Sequence, residues 1–241
     1  MAQIVSSREQ PIYLRIRRKI EERIERGEYP AGSVLPSENE LADEFGTTRL
    51  TVRNAMDALV ERGTVRRVQG KGAFVTSRDI DDTTSMPQGG FRKVAEALGM
   101  EPSVRLLASG RRKAGAYYGW LFGIPEDDLL YSLRRLNSLD GQPVALESTL
   151  IPLSLMPTIE EVDIQVFSLY ETYELLGHKV ARVQEKLDVL GLTAREAGLL
   201  HVDAGDVAMV SECVSYDITG NAIEYARNIS RSDFAGYTFK F

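Results

Sequence analysis

A single cysteine, Cys213, excludes an internal disulfide, and two histidines, His178 and His201, are too few to complete a zinc site at ordinary ligand spacing. No metal and no cofactor are expected. Long apolar runs are missing too: nothing approaches the ~18 residues a membrane helix needs, and Arg8 and Glu9 stand where a secretory signal would be apolar. The expectation is a cytoplasmic protein with no membrane partner. Positive charge is also in deficit, since 29 Lys and Arg against 35 Asp and Glu leave a net charge of -6. Taken over the whole chain, that balance argues against nucleic acid.

The charge is unevenly spread. Residues 1–78 carry 14 basic and 11 acidic side chains, and the remainder carries 15 and 24. The head is therefore mildly basic and the body acidic. Between residues 62 and 78 five cations (Arg62, Arg66, Arg67, Lys71 and Arg78) occur without one acid, a stripe that phosphate would feel.

Hydrophobic spacing in the head predicts three helices and a hairpin. Pro11 suits a first helical position, and Ile12, Ile16, Ile20 and Ile24 recur every four residues up to Gly27. Ser37 and Glu40 form an S-x-x-E capping box for a second, two-turn helix that carries Leu41 and Phe45 and stops at Gly46. Thr47 or Thr48 caps a third, where Val52, Ala55, Met56 and Leu59 claim one face before Gly63. Residues 64–68 and 73–76 read as short strands joined by Gln69, Gly70, Lys71 and Gly72. That order is a winged helix-turn-helix.

In such a motif the start of the third helix lies in the major groove. Arg49 and Arg53, four residues apart, project away from the apolar face, and an arginine fork suits guanine O6 and N7. Ser37, Thr48 and Thr51 are suited to phosphate. Two arginines on a helix are more often a plain solvated surface, and two glycines an ordinary turn. The cationic glycine hairpin that follows is what favours DNA.

The run LPSENELADEFGTTRLTVRNAMDALVERGTVRRVQGKGAFV, residues 35–75, resembles the DNA-binding domain of GntR-type bacterial regulators. The resemblance implies that Arg49, Thr51 and Arg53 read or clamp an operator and that Gly70 enters the minor groove. Gln69 and Lys71 join Gly70 as wing contacts. Asn39 stands where some members place a base-contacting arginine.

Residues 77–88 (SRDIDDTTSMPQ) have no hydrophobic period and read as a linker between a domain at 1–76 and another at 89–241. In the second domain residues 91–98 and 166–176 read as helices, and 129–139, 143–151, 180–190, 207–217 and 222–230 as strands. The fold class is α+β with a largely antiparallel sheet. Trp120 is expected in the core, Cys213 as a buried strand residue, and the two histidines at the surface or satisfied inside.

The stretches LRRLNSLDGQPVALESTLIP, FSLYETYELLG and NAIEYARNISRSDF resemble the UTRA effector domain of the HutC-like branch, whose fold is chorismate-lyase-like. That resemblance implies a regulator governed by a metabolite. By alternation Arg135 and Asn137 share the more apolar face of their strand, where a buried arginine needs an anionic partner, either Glu147 or a ligand anion. A two-residue loop at Asp140 and Gly141 sets Arg134 opposite Glu147; a three-residue bulged loop, the favoured choice, sets Arg135 there. The plainer alternative is that Arg135 and Glu147 form a structural cross-strand pair.

Phosphosugar-binding members imply further roles for Ser168, Tyr170 and Glu224, and for backbone N–H groups at Gly90 and Phe91. Ser230 replaces a tyrosine and Asn137 a second arginine common in those members, so the effector is expected to be a sugar phosphate, another anion or a different small polar metabolite.

The first reading is a homodimeric repressor, whose twofold symmetry would require a pseudo-palindromic operator. Two rivals stand beside the repressor reading. A lyase-like fold with Arg135 and Glu147 suggests an enzyme, though no nucleophile and base occur at a recognisable spacing and no catalytic residue is assigned. Cys213 suggests a thiol sensor.

Overall fold

The structure, a computed structural model, describes residues 11–76, 91, 95 and 98–234. The expected linker at 77–88 and Gly90 lie outside the described residues. The chain divides into two compact units near residues 83 and 84, with 161–166 grouped with the first.

In the first unit α1 runs Ile12–Glu25, α2 Glu38–Glu44 and α3 Arg49–Glu61. Pro11 is the N-cap of α1 rather than its first residue, and Ile16 and Ile20 are the isoleucines of α1 that are buried. The capping box at α2 is complete: Glu40 N donates to Ser37 Oγ and Ser37 N donates to the Glu40 carboxylate. Thr48 caps α3. Val52, Ala55, Met56 and Leu59 of α3 pack with Ile16, Ile20, Leu35 and Leu41 into one core. Each Val, Leu, Ile or Met side chain among them contributes about 1.5–3 kcal/mol by leaving water. Strands β1 (Val65–Val68) and β2 (Gly72–Val75) pair antiparallel.

The second unit is built on one six-stranded antiparallel sheet. Its elements are β3 (Pro102–Lys113), α4 (Gly115–Phe122), β4 (Leu129–Leu139), β5 (Gln142–Pro152), α5 (Leu169–Leu175), β6 (Val180–Gly191), α6 (Ala194–Leu200), β7 (Val207–Asp217) and β8 (Ala222–Arg231), and the strand order is β3-β4-β5-β8-β7-β6. Phe91, Ala95 and Leu98 are helical, and Gly99 follows at a φ of 68°.

Several expectations need correction. The helix expected over 166–176 is confined to Leu169–Leu175, because Ser168 and Glu171 form a capping box that fixes its start. Strand β3 and helices α4 and α6 were not anticipated: β3 carries Arg105, Arg111, Arg112 and Lys113 and is mostly exposed, so no apolar period marks it. Trp120 is 78% exposed rather than in the core. Its helix α4 buries Gly119 and Phe122 and leaves Tyr117 and Trp120 exposed.

The β4–β5 hairpin settles the register in an unexpected way. Leu139 pairs Gln142 across a two-residue loop in which Asp140 and Gly141 have φ of 47° and 77°, the primed-turn signature. That loop alone would align Arg134 with Glu147. Instead Ser138 pairs Pro143 while Asn137 pairs Ala145, leaving Val144 as a bulge residue and bringing Arg135 opposite Glu147. Proline has no N–H for a regular ladder, and strands tolerate it at bulges. The favoured pair is therefore right, and a bulge in β5, not a longer loop, produces it.

Candidate functional site

Two groups of polar side chains stand out, one in each unit. In the first, Arg49 and Arg53 are both exposed at the start of α3, opposite its buried apolar face. Thr48 Oγ1 accepts from Thr51 N at 3.3 Å and lies 2.9 Å from Thr51 Oγ1. Asn39 and Ser37 are exposed at the start of α2, and Gln69, Gly70 and Lys71 are exposed at the hairpin tip. Gly70 has a φ of 75° with nothing near its would-be Cβ, so conformation rather than crowding selects glycine there. Asn39, Arg49, Arg53, Gln69, Gly70 and Lys71 line one groove of about 1050 Å³.

Glu38 is a residue that sequence reasoning missed. Its Oε2 accepts from Arg49 Nε at 3.0 Å and its Oε1 from Arg67 Nη2 at 3.0 Å, and Arg67 also meets Asp57. One carboxylate thus ties α2 to α3 and to β1. The available signal was an acid in the first turn of α2, but that position is favourable for any acid and points to no particular arginine.

In the second unit the alternation of β4, β5, β8 and β7 places Arg135 and Asn137, Glu147 and Thr149, Glu224 and Ser230, and Ser211 and Ser215 on one face of the sheet. Arg135 pairs with Glu147, whose carboxylate also accepts from Asn137 Nδ2 and Thr149 Oγ1, both at 3.0 Å. Glu224 accepts from Tyr173 OH at 2.7 Å and from Ser215 Oγ at 2.6 Å. Tyr170 OH lies 3.2 Å from Ser215 Oγ and, with that hydroxyl's proton directed at Glu224, is the donor. Arg135, Asn137, Glu147, Glu224, Tyr173 and Ser215 are all buried.

The two carboxyls are tuned in opposite directions. Burial pushes Glu147 up, but Arg135, Asn137 and Thr149 together outweigh it and hold its pKa below the ordinary value. Burial also pushes Glu224 up, the Ser215 and Tyr173 hydroxyls oppose this only in part, and its pKa remains raised. Burial, aided by Glu224, raises both tyrosines. Two polar atoms in this cluster lack partners, Arg135 Nε and Asn137 Oδ1. Fully buried polar atoms are rarely left so.

The other expected residues are placed less directly. Ser168 Oγ accepts from Glu171 N as the cap of α5, Ser230 is half-buried opposite Ala145, and Phe91 packs near Leu139, Val144 and Ala145. Tyr173 and Ser215 were missed, although Tyr173 follows Tyr170 by three residues on α5 and shares its helix face. Cys213 is half-buried and its thiol is pushed up to about 12, chiefly by burial. A thiol held in its protonated form is a poor redox sensor, so that rival loses its chemical basis.

Family models match most of the chain: "Bacterial regulatory proteins, gntR family" over residues 12–75 and "UTRA domain" over residues 97–235. The chain belongs to the GntR family and carries a UTRA domain. Among its relatives, the HTH-type transcriptional repressor NagR of Bacillus subtilis is 29% identical over 95% of this chain and 93% of its own length. The HTH-type transcriptional repressor PhnF of Mycolicibacterium smegmatis is 30% identical over 86% of this chain and 84% of its own. The crystal structure of PhnF from Mycobacterium smegmatis superposes with a TM-score of 0.60 at 29% identity, covering 92% of this chain and 97% of that one. These GntR–UTRA relatives are transcription regulators, so the enzyme alternative falls away.

Proposed function

We propose that this GntR–UTRA protein is a homodimeric repressor that binds a pseudo-palindromic operator and whose hold on it is governed by a small polar or phosphorylated metabolite bound over the sheet of the second unit. The observation that carries the DNA half is the exposure of Arg49 and Arg53 at the start of α3, on one groove with the wing tip. In the proposal Arg49 and Arg53 read bases, Asn39 assists them, Ser37, Thr48 and Thr51 hold phosphates, and Gln69, Gly70 and Lys71 follow the minor groove. The effector half is supported by the buried cluster of Arg135, Asn137, Glu147, Tyr170 and Glu224 with its two unpartnered atoms. Ser168, Ser230 and Phe91 flank it in the proposal. Cytoplasmic location accords with the absence, among the described residues, of any helix long and apolar enough to cross a membrane.

Selection of DNA from a random pool, followed by anisotropy titration of the selected duplex, tests the reading. Two protein chains per duplex and an inverted repeat in the selected sequence are expected; one chain on an asymmetric site would overturn the dimer. A metabolite that weakens this binding must itself bind the DNA complex more weakly by the same factor, a coupling of about 1–3 kcal/mol.

Lys71→Ala is expected to weaken binding to selected and unselected DNA alike and to reduce the slope of log K against log salt by about one unit. A loss confined to the selected sequence would show Lys71 to be a base reader.

A further inference from the structure

Lys71 stands at the tip of the wing, yet its ammonium is already engaged. Its Nζ donates to Asp163 Oδ2 at 3.1 Å and to Gln165 Oε1 at 3.2 Å. Residues 161–166 belong to the first unit, so these contacts lie within it. They span 92 and 94 residues of sequence, and no local preference of the hairpin brings them about.

The turn that makes these contacts is built to present a carboxylate. Val162, Ile164 and Val166 are buried, and Asp163 and Gln165 alternate with them. Asp163 Oδ1 accepts from Gln165 N at 2.9 Å, and the Asp163 carbonyl accepts from Val166 N at 2.9 Å. One carboxylate oxygen thus holds the shape of the turn while the other faces Lys71. The Lys71 and Asp163 side chains remain 35% and 38% exposed, so water and salt reach the pair. A charged oxygen is also what a DNA phosphate offers an ammonium, and lysine, a point charge with rotatable donors, takes either partner. A phosphate arriving at the remaining N–H would stand beside the Asp163 carboxylate, and two anions so close repel. The two occupants therefore exclude one another.

We infer that residues 163–165 occupy the wing tip in place of DNA, as an internal competitor that Lys71 must leave before the wing meets a phosphate. This step rests on the reading of Lys71 as a DNA contact. Because phosphate contacts carry no sequence information, the competitor lowers affinity for every duplex by the same factor and leaves the preference among sequences unchanged. An exposed ion pair is weak, so the factor is modest, about two- to fivefold.

The test uses the full chain and two measurements. In anisotropy titrations of a random-sequence duplex, Asp163→Asn, whose amide oxygen still closes the turn, should bind about two- to fivefold tighter than the unaltered protein. Glu161→Gln removes the same charge from an exposed side chain two residues away and should gain far less. A general repulsion between acidic surface and DNA would move both variants alike. In a Lys71→Ala background Asp163→Asn should add nothing, since the ammonium it frees is gone. The second measurement needs no DNA: the rate at which an amine-reactive ester acylates Lys71, followed by mass spectrometry, should rise in Asp163→Asn and not in Glu161→Gln. Should Asp163→Asn fail to fold by circular dichroism, Gln165→Ala, which removes the second acceptor and keeps the turn's backbone bonds, should move both measurements in the same direction. No gain from Asp163→Asn, an equal gain from Glu161→Gln, a gain that survives Lys71→Ala, or an unchanged acylation rate overturns the competitor and leaves Lys71 a DNA contact. If Lys71→Ala binds the duplex as tightly as the unaltered protein, the wing reading fails and the competitor falls with it.

Discussion

Arg49→Ala is expected to collapse the preference for the selected operator over random DNA by about 1–3 kcal/mol, roughly 5- to 150-fold, while leaving most non-specific binding in place. The reasoning starts from geometry. The Arg49 side chain is 65% exposed, yet its Nε is held at 3.0 Å by Glu38, so the guanidinium is oriented before DNA arrives. An arginine fixed in this way loses less side-chain freedom when it forms two hydrogen bonds to guanine. Glu38→Gln should then show an intermediate loss of preference, because the amide still reaches Arg49 but no longer holds two arginines by charge. Anisotropy titrations of operator and scrambled duplexes at fixed salt check both variants. If Arg49→Ala weakened both duplexes equally, Arg49 would be a phosphate contact, and Arg53 would be left as the reader on that face.

The first unit was almost fully legible because its signals are local. Capping at Ser37 and Thr48, the apolar spacing of α3 and the positive-φ glycine at position 70 each depend on a few neighbouring residues, and all occur as expected. Glu38 was hidden for the opposite reason: its two partners lie 11 and 29 residues away. The second unit was legible where strands bury one face and opaque where they do not. Strand β4 announces by alternation which of its residues share a face, whereas β3 is an exposed edge of the sheet and leaves no period. The Arg135–Glu147 pair depends on a bulge at Val144 that no hydrophobic pattern encodes; the proline before it was the only local sign. Tyr173 and Ser215 reach Glu224 across 51 and 9 residues. Long-range polar contacts of this kind are set by the packing of the whole domain.

Arg135→Met should destabilise the second unit by about 3–5 kcal/mol, since it leaves the buried Glu147 carboxylate without its cation. Adding Glu147→Met removes that stranded charge, so the double variant should be more stable than Arg135→Met alone. It should not return to the original value, because Asn137 Nδ2 and Thr149 Oγ1 then lose their acceptor. The pH dependence supplies an independent check. In the unaltered protein the Glu147 pKa lies below its ordinary 4.5, so its contribution to stability is present above that pH and is lost as acid carries the solution down through the folded value. Without Arg135 the burial of Glu147 dominates and its pKa rises above 4.5, so the variant loses stability as pH climbs past that point. The gap between the two proteins must therefore widen from pH 4.5 to pH 7.5 in denaturant melts of the second unit's transition. A gap that stays constant over that range would mean the pair contributes through packing alone.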